Sequence, residues 1–137
     1  MSDVARSPEQ VGDKVCEIVA EALGCERDDV ELTSILMDDL GAESLDFLDI
    51  VFKLEQTFGI QITRGEMESA ARGDMSEDDF APGGVISDAG LERLRELMPE
   101  ARDRIEPGLR PVQILGLFSV QTFTNIVVRK LDAGPAQ

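Results

Sequence analysis

Apolar side chains recur at three- and four-residue intervals in three separate stretches of this chain, each bounded by residues that start or stop a helix. The first opens on Ser7-Pro8. Ser7 can cap, Pro8 suits the first helical position, and Gln10 falls three residues after the cap to close a capping box. Val11, Val15, Ile18 and Ala22 then mark one face, Val19 and Leu23 widen it, and Gly24 ends the helix. The second stretch runs from about Ser44 to Phe58 before Gly59, with Leu45, Leu48, Val51 and Phe52 at helical spacing. The third runs from Val120 to about Leu131. Ser119 can cap it, Phe123, Val127 and Leu131 align, and Arg129 with Lys130 suits the negative end of the helix dipole. Its Ile126-Val127-Val128 run also suits a strand, but no convincing partner strand exists elsewhere, so the expectation is a helix.

Less regular segments join these three. Cys25 to Glu43 reads as a long loop pinned by Val30, Leu32, Ile35, Leu36 and Leu40. Loops of this length are uncommon unless they serve a function, and this one delivers the chain to Ser44. Ile60 and Ile62 anchor the next connection, and Arg64 to Ala71 forms a short helix. Arg72 to Gly84 reads as a polar, turn-rich linker. Asp74 to Asp79 has the acidity of a calcium loop but not the alternating ligand positions or closing glutamate of an EF-hand. A further helix is expected over Asp88 to Met98, capped by Ser87 or Asp88, striped by Leu91, Leu94, Leu97 and Met98, and stopped by Pro99. Ile105 to Phe118 reads as a return connection tucked against the bundle, and Asp132 to Gln137 as a frayed tail.

A length of 137 residues is one domain's worth of chain, enough for a modest core. With six Phe, no Trp and no Tyr, that core rests on aliphatic side chains, a mix that suits helices. The formal charge of −15 argues against nucleic acid as a ligand, because phosphate contacts need Lys and Arg in excess; it points to basic protein partners. The charge is concentrated: residues 1–58 carry a net −11 and residues 59–137 a net −4. An acidic surface that only keeps a small protein soluble would account for the total. It does not account for the crowding of Glu43, Asp46, Asp49 and Glu55 around the helix that begins at Ser44, a layout that would steer basic enzymes to that end.

No apolar run reaches the roughly 18–20 residues that cross a bilayer. The first six residues lack the layout of a secretory signal, so the expectation is a cytoplasmic protein. Cys16 and Cys25 have neither ligand-like spacing nor a histidine to help, and are read as ordinary helix and loop residues with no metal.

Ser44 stands at the apparent start of its helix with carboxylates on both sides. A phosphodiester on its hydroxyl would lie at the positive end of the helix dipole, near free backbone N–H groups. The plain alternative is a helix N-cap, worth about 1 kcal/mol. Asp39-Leu40-Gly41-Ala42-Glu43-Ser44-Leu45-Asp46, with Val51 to Ile60 after it, resembles the prosthetic-group site of the acyl carrier proteins. The resemblance covers roughly residues 8–63 and 117–132 and implies an all-α, acyl-carrier-like four-helix bundle. It implies that Ser44 holds a covalent 4′-phosphopantetheine arm, taken from coenzyme A by a phosphopantetheinyl transferase. The arm's thiol would carry acyl groups as thioesters for fatty-acid, lipid or polyketide biosynthesis. The chain would be a non-catalytic carrier, since no histidine exists to activate Ser44 in a triad.

The same resemblance implies that Asp39, Glu43, Leu45, Asp46, Asp49, Phe52 and Glu55 meet partners, among them basic-surfaced ketosynthases or acyltransferases. For Phe52, core packing is an equal alternative. Leu48, Ile50, Val51, Leu54 and Phe58 are expected to line the interior that shelters the acyl chain. The chain is read as a monomer and as one domain, 1–137, with a core of about 7–65 and 114–132 and a helical insertion of about 66–113. Two departures from the family pattern stand out: that insertion, and Glu43 where the family usually has Asp. The run from Ser44 to Phe52 looks most like specialised bacterial carriers, among them enlarged ones that deliver very long hydroxy-acyl chains to lipid A. Two other readings compete: an acidic helical adaptor without a prosthetic group, and a carrier of aminoacyl or peptidyl units.

Overall fold

The fold was taken from a computed structural model that describes residues 7–73 and 75–132. The readings of the first six residues, of Asp74 and of the tail beyond Asp132 lie outside the described residues. The chain forms α1 (Pro8–Leu23), α2 (Leu36–Leu40), α3 (Ser44–Phe58), α4 (Arg64–Arg72), α5 (Glu77–Phe80), α6 (Asp88–Leu97) and α7 (Val120–Asp132), with 3-10 turns between them. Among the described residues the extended pairing is a single antiparallel bridge between Ile35 and Ser119.

α1 starts as its sequence dictates. Ser7 Oγ accepts from the Gln10 N–H at 3.2 Å, and the Gln10 side chain returns the bond to the Ser7 N–H at 3.0 Å. Its buried face is Val11, Val15, Ile18 and Val19 with Cys16 and Ala20, while Ala22 and Leu23 are only partly covered. That face packs against α7 and α3. α7 carries a reciprocal cap: the Ser119 N–H donates to Thr122 Oγ1 and the Thr122 N–H to Ser119 Oγ, both at 3.1 Å. The β-branched run that also suited a strand is helical here, because Ile126 and Val127 bury on one side of α7.

Three phenylalanines fill the space between α3 and α7. Phe47 stands 6.5 Å from Phe118 and 5.9 Å from Phe123, and the last two are 5.6 Å apart. Tilted and edge-on ring pairs of this kind add to the ~1.5–3 kcal/mol that each buried large side chain contributes. α4 lies against α7, and Lys130 of α7 pairs with Glu66 of α4. Burial pushes the Glu66 carboxyl up. The hydrogen bonds from Lys130, from the Thr63 N–H and from the Thr63 hydroxyl outweigh it, together with the Lys130 charge, and the net shift is downward.

The segment between α4 and α7 continues the same core. α6 packs on α4 and α5, and Phe80, Ile86, Leu91, Leu94, Met98, Ala101 and Ile105 are buried. Gly90 permits the contact between α5 and α6. A β-carbon there would stand 2.6 Å from the Phe80 carbonyl oxygen and 2.8 Å from Ile86 Cγ2.

Several connections are more ordered than expected. Cys25 to Glu43 is not a continuous loop, since it holds a 3-10 turn at Arg27–Asp29 and the helix α2. Its anchor Leu32 is exposed, although its Cδ2 lies 3.2 Å from where a β-carbon of Gly12 would stand. The polar linker at 72–84 holds α5, which buries Phe80, and the return connection holds a 3-10 turn at Pro111–Leu117. α6 ends at Leu97, one residue before the expected Met98. Burial raises the Cys16 thiol pKa, an effect partly offset by Arg27 and reinforced by Asp13, which suits an inert core thiol.

Candidate functional site

Ser44 sits at a corner that α2 and α3 make together. α2 ends at Gly41, whose φ of 74° lies in the left-handed region that glycine adopts without strain. Ala42 then turns inward and is buried, with its N–H donating to the Leu36 carbonyl at 2.9 Å. Glu43 is extended, and α3 begins at Ser44. The approach is stitched to the head of α7. The Leu36 N–H donates to the Phe118 carbonyl at 3.1 Å, and the Val120 N–H to the Ser34 carbonyl at 3.0 Å. Asp39 holds the start of α2 by accepting from the Ile35 N–H at 2.8 Å.

Glu43, not Ser44, occupies the N-cap position of α3. The Asp46 carboxylate accepts from the Glu43 N–H at 2.8 Å and takes over the capping work. Ser44 is exposed, and its hydroxyl has no hydrogen-bond partner among the described residues. The plain N-cap reading of Ser44 is therefore set aside. An exposed hydroxyl with no structural duty, on the first turn of a 15-residue helix, is free to be modified.

α3 has two apolar faces. At 100° per residue, Phe47, Ile50 and Leu54 fall within about 60° of one another, and Leu45, Leu48 and Phe52 fall within about 60° on nearly the opposite side. The first set is buried against the core. The second is exposed: Leu45 by 75%, Leu48 by 67% and Phe52 by 58%. Leu48 was expected to line the interior and does not, because it shares a helix face with Leu45 and Phe52 rather than with Ile50. Phe52 is exposed, so core packing is not its role. Ile50 and Leu54 are fully buried as expected, and Val51 and Phe58 are half-buried at the margin. Phe47, to which sequence reasoning assigned no role, is the largest side chain on the buried face; its spacing of three and seven residues from Ile50 and Leu54 was the available signal.

The acids around this face differ in what holds them. Asp49 and Glu55 flank the exposed apolar stripe. Asp49 stands 3.9 Å from Lys53, and Glu55 accepts from the Ile62 N–H at 2.8 Å. Asp39, Asp46 and Glu55 thus share a structural task, each accepting a charge-assisted hydrogen bond from a backbone N–H. The structure brings Leu45, Leu48, Asp49, Phe52 and Glu55 together on and beside one side of α3, running away from Ser44, while Glu43 is exposed in the N-cap position.

Residues 13–71 match the family profile PP-binding, described as a phosphopantetheine attachment site. The chain is 52% identical over 50 residues to the acyl carrier protein AcpXL of Brucella melitensis, a match covering 36% of this chain and 54% of the relative. It is equally similar to AcpXL of Brucella suis, and 50% identical over 50 residues to AcpXL of Rhizobium meliloti, covering 53% of that protein. The match spans about half the length of each of these relatives. No solved structure matches the chain significantly.

Proposed function

We propose that this chain is an acyl carrier protein that bears its 4′-phosphopantetheine on Ser44 Oγ and carries acyl intermediates in fatty-acid, lipid or polyketide biosynthesis, a reading supported by the matches to that family. The observation that carries this reading is the Ser44 hydroxyl itself: exposed, without an internal partner, and relieved of capping by Glu43 and Asp46. When bound, the arm supplies a terminal thiol on which acyl groups ride as thioesters. The chain's own residues position that arm. Gly41 and Ala42 set the corner, Asp39 and the bonds between the α2 approach and the head of α7 hold it, and the first turn of α3 presents N–H groups beside a phosphate on Ser44.

In this reading Ser44 is an acceptor and not a catalyst, since the whole sequence contains no histidine to activate it. Leu45, Leu48 and Phe52 form the apolar part of the partner-facing surface, and Glu43, Asp49 and Glu55 its charged border. A transferase, and then basic-surfaced ketosynthases or acyltransferases, would dock there. Ile50, Leu54, Val51 and Phe58 remain the proposed interior lining for an acyl chain. The segment 66–113 is an insertion into the carrier core in this account, and a cytoplasmic, monomeric protein suits it. No described helix is long and apolar enough to cross a membrane.

The test is intact mass after incubation with coenzyme A and a broad-specificity phosphopantetheinyl transferase. The unaltered chain should gain one phosphopantetheine, and Ser44→Ala none. An unmodified protein would leave the acidic adaptor as the reading. A native protein carrying aminoacyl instead of acyl thioesters would move it to the third class.

A further inference from the structure

We infer that Arg104 is a specificity-determining residue of this carrier, because it pairs with Asp38 on α2, six residues before Ser44, and occupies one carboxylate of the acidic run that leads to that serine. The inference rests on the carrier reading above.

Six carboxylates stand on α2, on α3 or at the N-cap between them: Asp38, Asp39, Glu43, Asp46, Asp49 and Glu55. Asp39, Asp46 and Glu55 each accept from a backbone N–H group. Asp49 meets Lys53 of its own helix, 3.9 Å away, in an ordinary i,i+4 pair. Asp38 is different. Its cation, Arg104, comes from 66 positions further on, in the segment between α4 and α7.

Arg104 is delivered there by a fixed scaffold. It ends the 3-10 turn Pro99–Arg104, whose Ala101 is buried, as is Ile105 just after it. Glu100 of the same turn accepts from the hydroxyl of Ser119, a fully buried residue at the head of α7. The Arg95 guanidinium donates to the Ile105 carbonyl at 2.9 Å. The turn is therefore held on two sides before Arg104 reaches across, so little freedom is lost in making the pair. Arg104 and Asp38 are 42% and 50% exposed, and pairs in such surroundings add little to folding. Their effect falls on what an arriving protein finds: a cation on a basic partner must compete with Arg104 for Asp38. A phosphopantetheinyl transferase that reaches from α3 onto α2 meets this competition, whereas a partner that relies on α3 alone does not.

The experiment measures KM and kcat for arm transfer by a broad-specificity, basic-surfaced phosphopantetheinyl transferase. The substrates are the full chain and its Arg104→Ala, Arg104→Gln, Arg104→Lys, Asp38→Asn and double R104A/D38N variants. Arg104→Ala and Arg104→Gln are expected to lower KM about two- to fivefold with kcat unchanged, and Arg104→Lys to restore the original value. Asp38→Asn should cost more in the Arg104→Ala background than in the unaltered chain. A KM that does not fall in either Arg104 variant overturns the inference. So do equal Asp38→Asn effects in both backgrounds, since Arg104 would then act only as one more distant charge. Absence of an adduct on the unaltered chain would sink the carrier reading and this inference with it; an adduct with equal Asp38 effects sinks the inference alone.

Discussion

Leu54 and Leu48 are the same side chain on the same helix, six residues apart, and they should respond to truncation in opposite ways. Leu54 is 0% exposed and Leu48 67%. Leu→Ala deletes the equivalent of three methylenes, about 2.4 kcal/mol of transfer free energy when the site is fully buried. A residual cavity adds to that, so Leu54→Ala is expected to cost about 3 kcal/mol, within the range of roughly 2–5 for such sites. At Leu48 only about a third of the transfer term applies, near 0.8 kcal/mol, and alanine's better helix propensity recovers a few tenths. The net cost is about 0.5 kcal/mol or less. Urea unfolding followed by far-ultraviolet circular dichroism reads both. With m about 2 kcal/mol/M, the midpoint should move by about 1.5 M for Leu54→Ala and by less than about 0.3 M for Leu48→Ala. Partner assays should invert the order: Leu48→Ala raises KM for arm transfer while the fold stays intact. Equal midpoint shifts for the two variants would refute the assignment of the two faces of α3, and the partner surface would go with it.

Two further outcomes follow from close contacts elsewhere. Gly90→Ala should destabilise the protein by about 1–3 kcal/mol despite the roughly 1 kcal/mol that alanine gains in a helix, because the new methyl meets the Phe80 carbonyl and Ile86; hydrogen exchange should show α5 and α6 loosening first. Lys130→Met removes a partner that holds the Glu66 pKa down. A carboxylate with a lowered folded pKa stabilises above its unfolded value and loses that contribution as pH falls through the folded one. The variant should therefore be less stable at neutral pH by about 1 kcal/mol or less, with the difference closing below the ordinary glutamate range in a pH series of thermal midpoints.

Much of this architecture was legible because its signals are local. The Ser7 and Gln10 box, the Gly24 stop, the span of α3 and the span of α7 each follow from a few neighbouring residues. The short helices were not legible for the complementary reason. α2 lacks a side-chain N-cap and runs for five residues, and its start is held by the head of α7, far along the chain. α5 is only four residues long, and its ordering rests on burying Phe80. A helix shorter than two turns has too few internal bonds to declare itself without such contacts. The site divides the same way. Ser44 and its acids were visible in one motif, whereas the exposure of Leu48 depends on which of two apolar faces α1 and α7 cover. Arg104 could not be linked to Asp38 by any local rule, since the pair forms only once the intervening chain has folded.

The bridge between Ile35 and Ser119 joins the approach to Ser44 directly to the head of α7, so extra chain length in a loop between α4 and α7 need not be carried through that corner. The entropic cost of closing a loop grows only with the logarithm of its length, about 0.6 kcal/mol for each doubling. The exposed Pro82-Gly83-Gly84 turn is accordingly a splice point, where a reporter peptide or a second recognition module can be grafted while the backbone around Ser44 stays as it is.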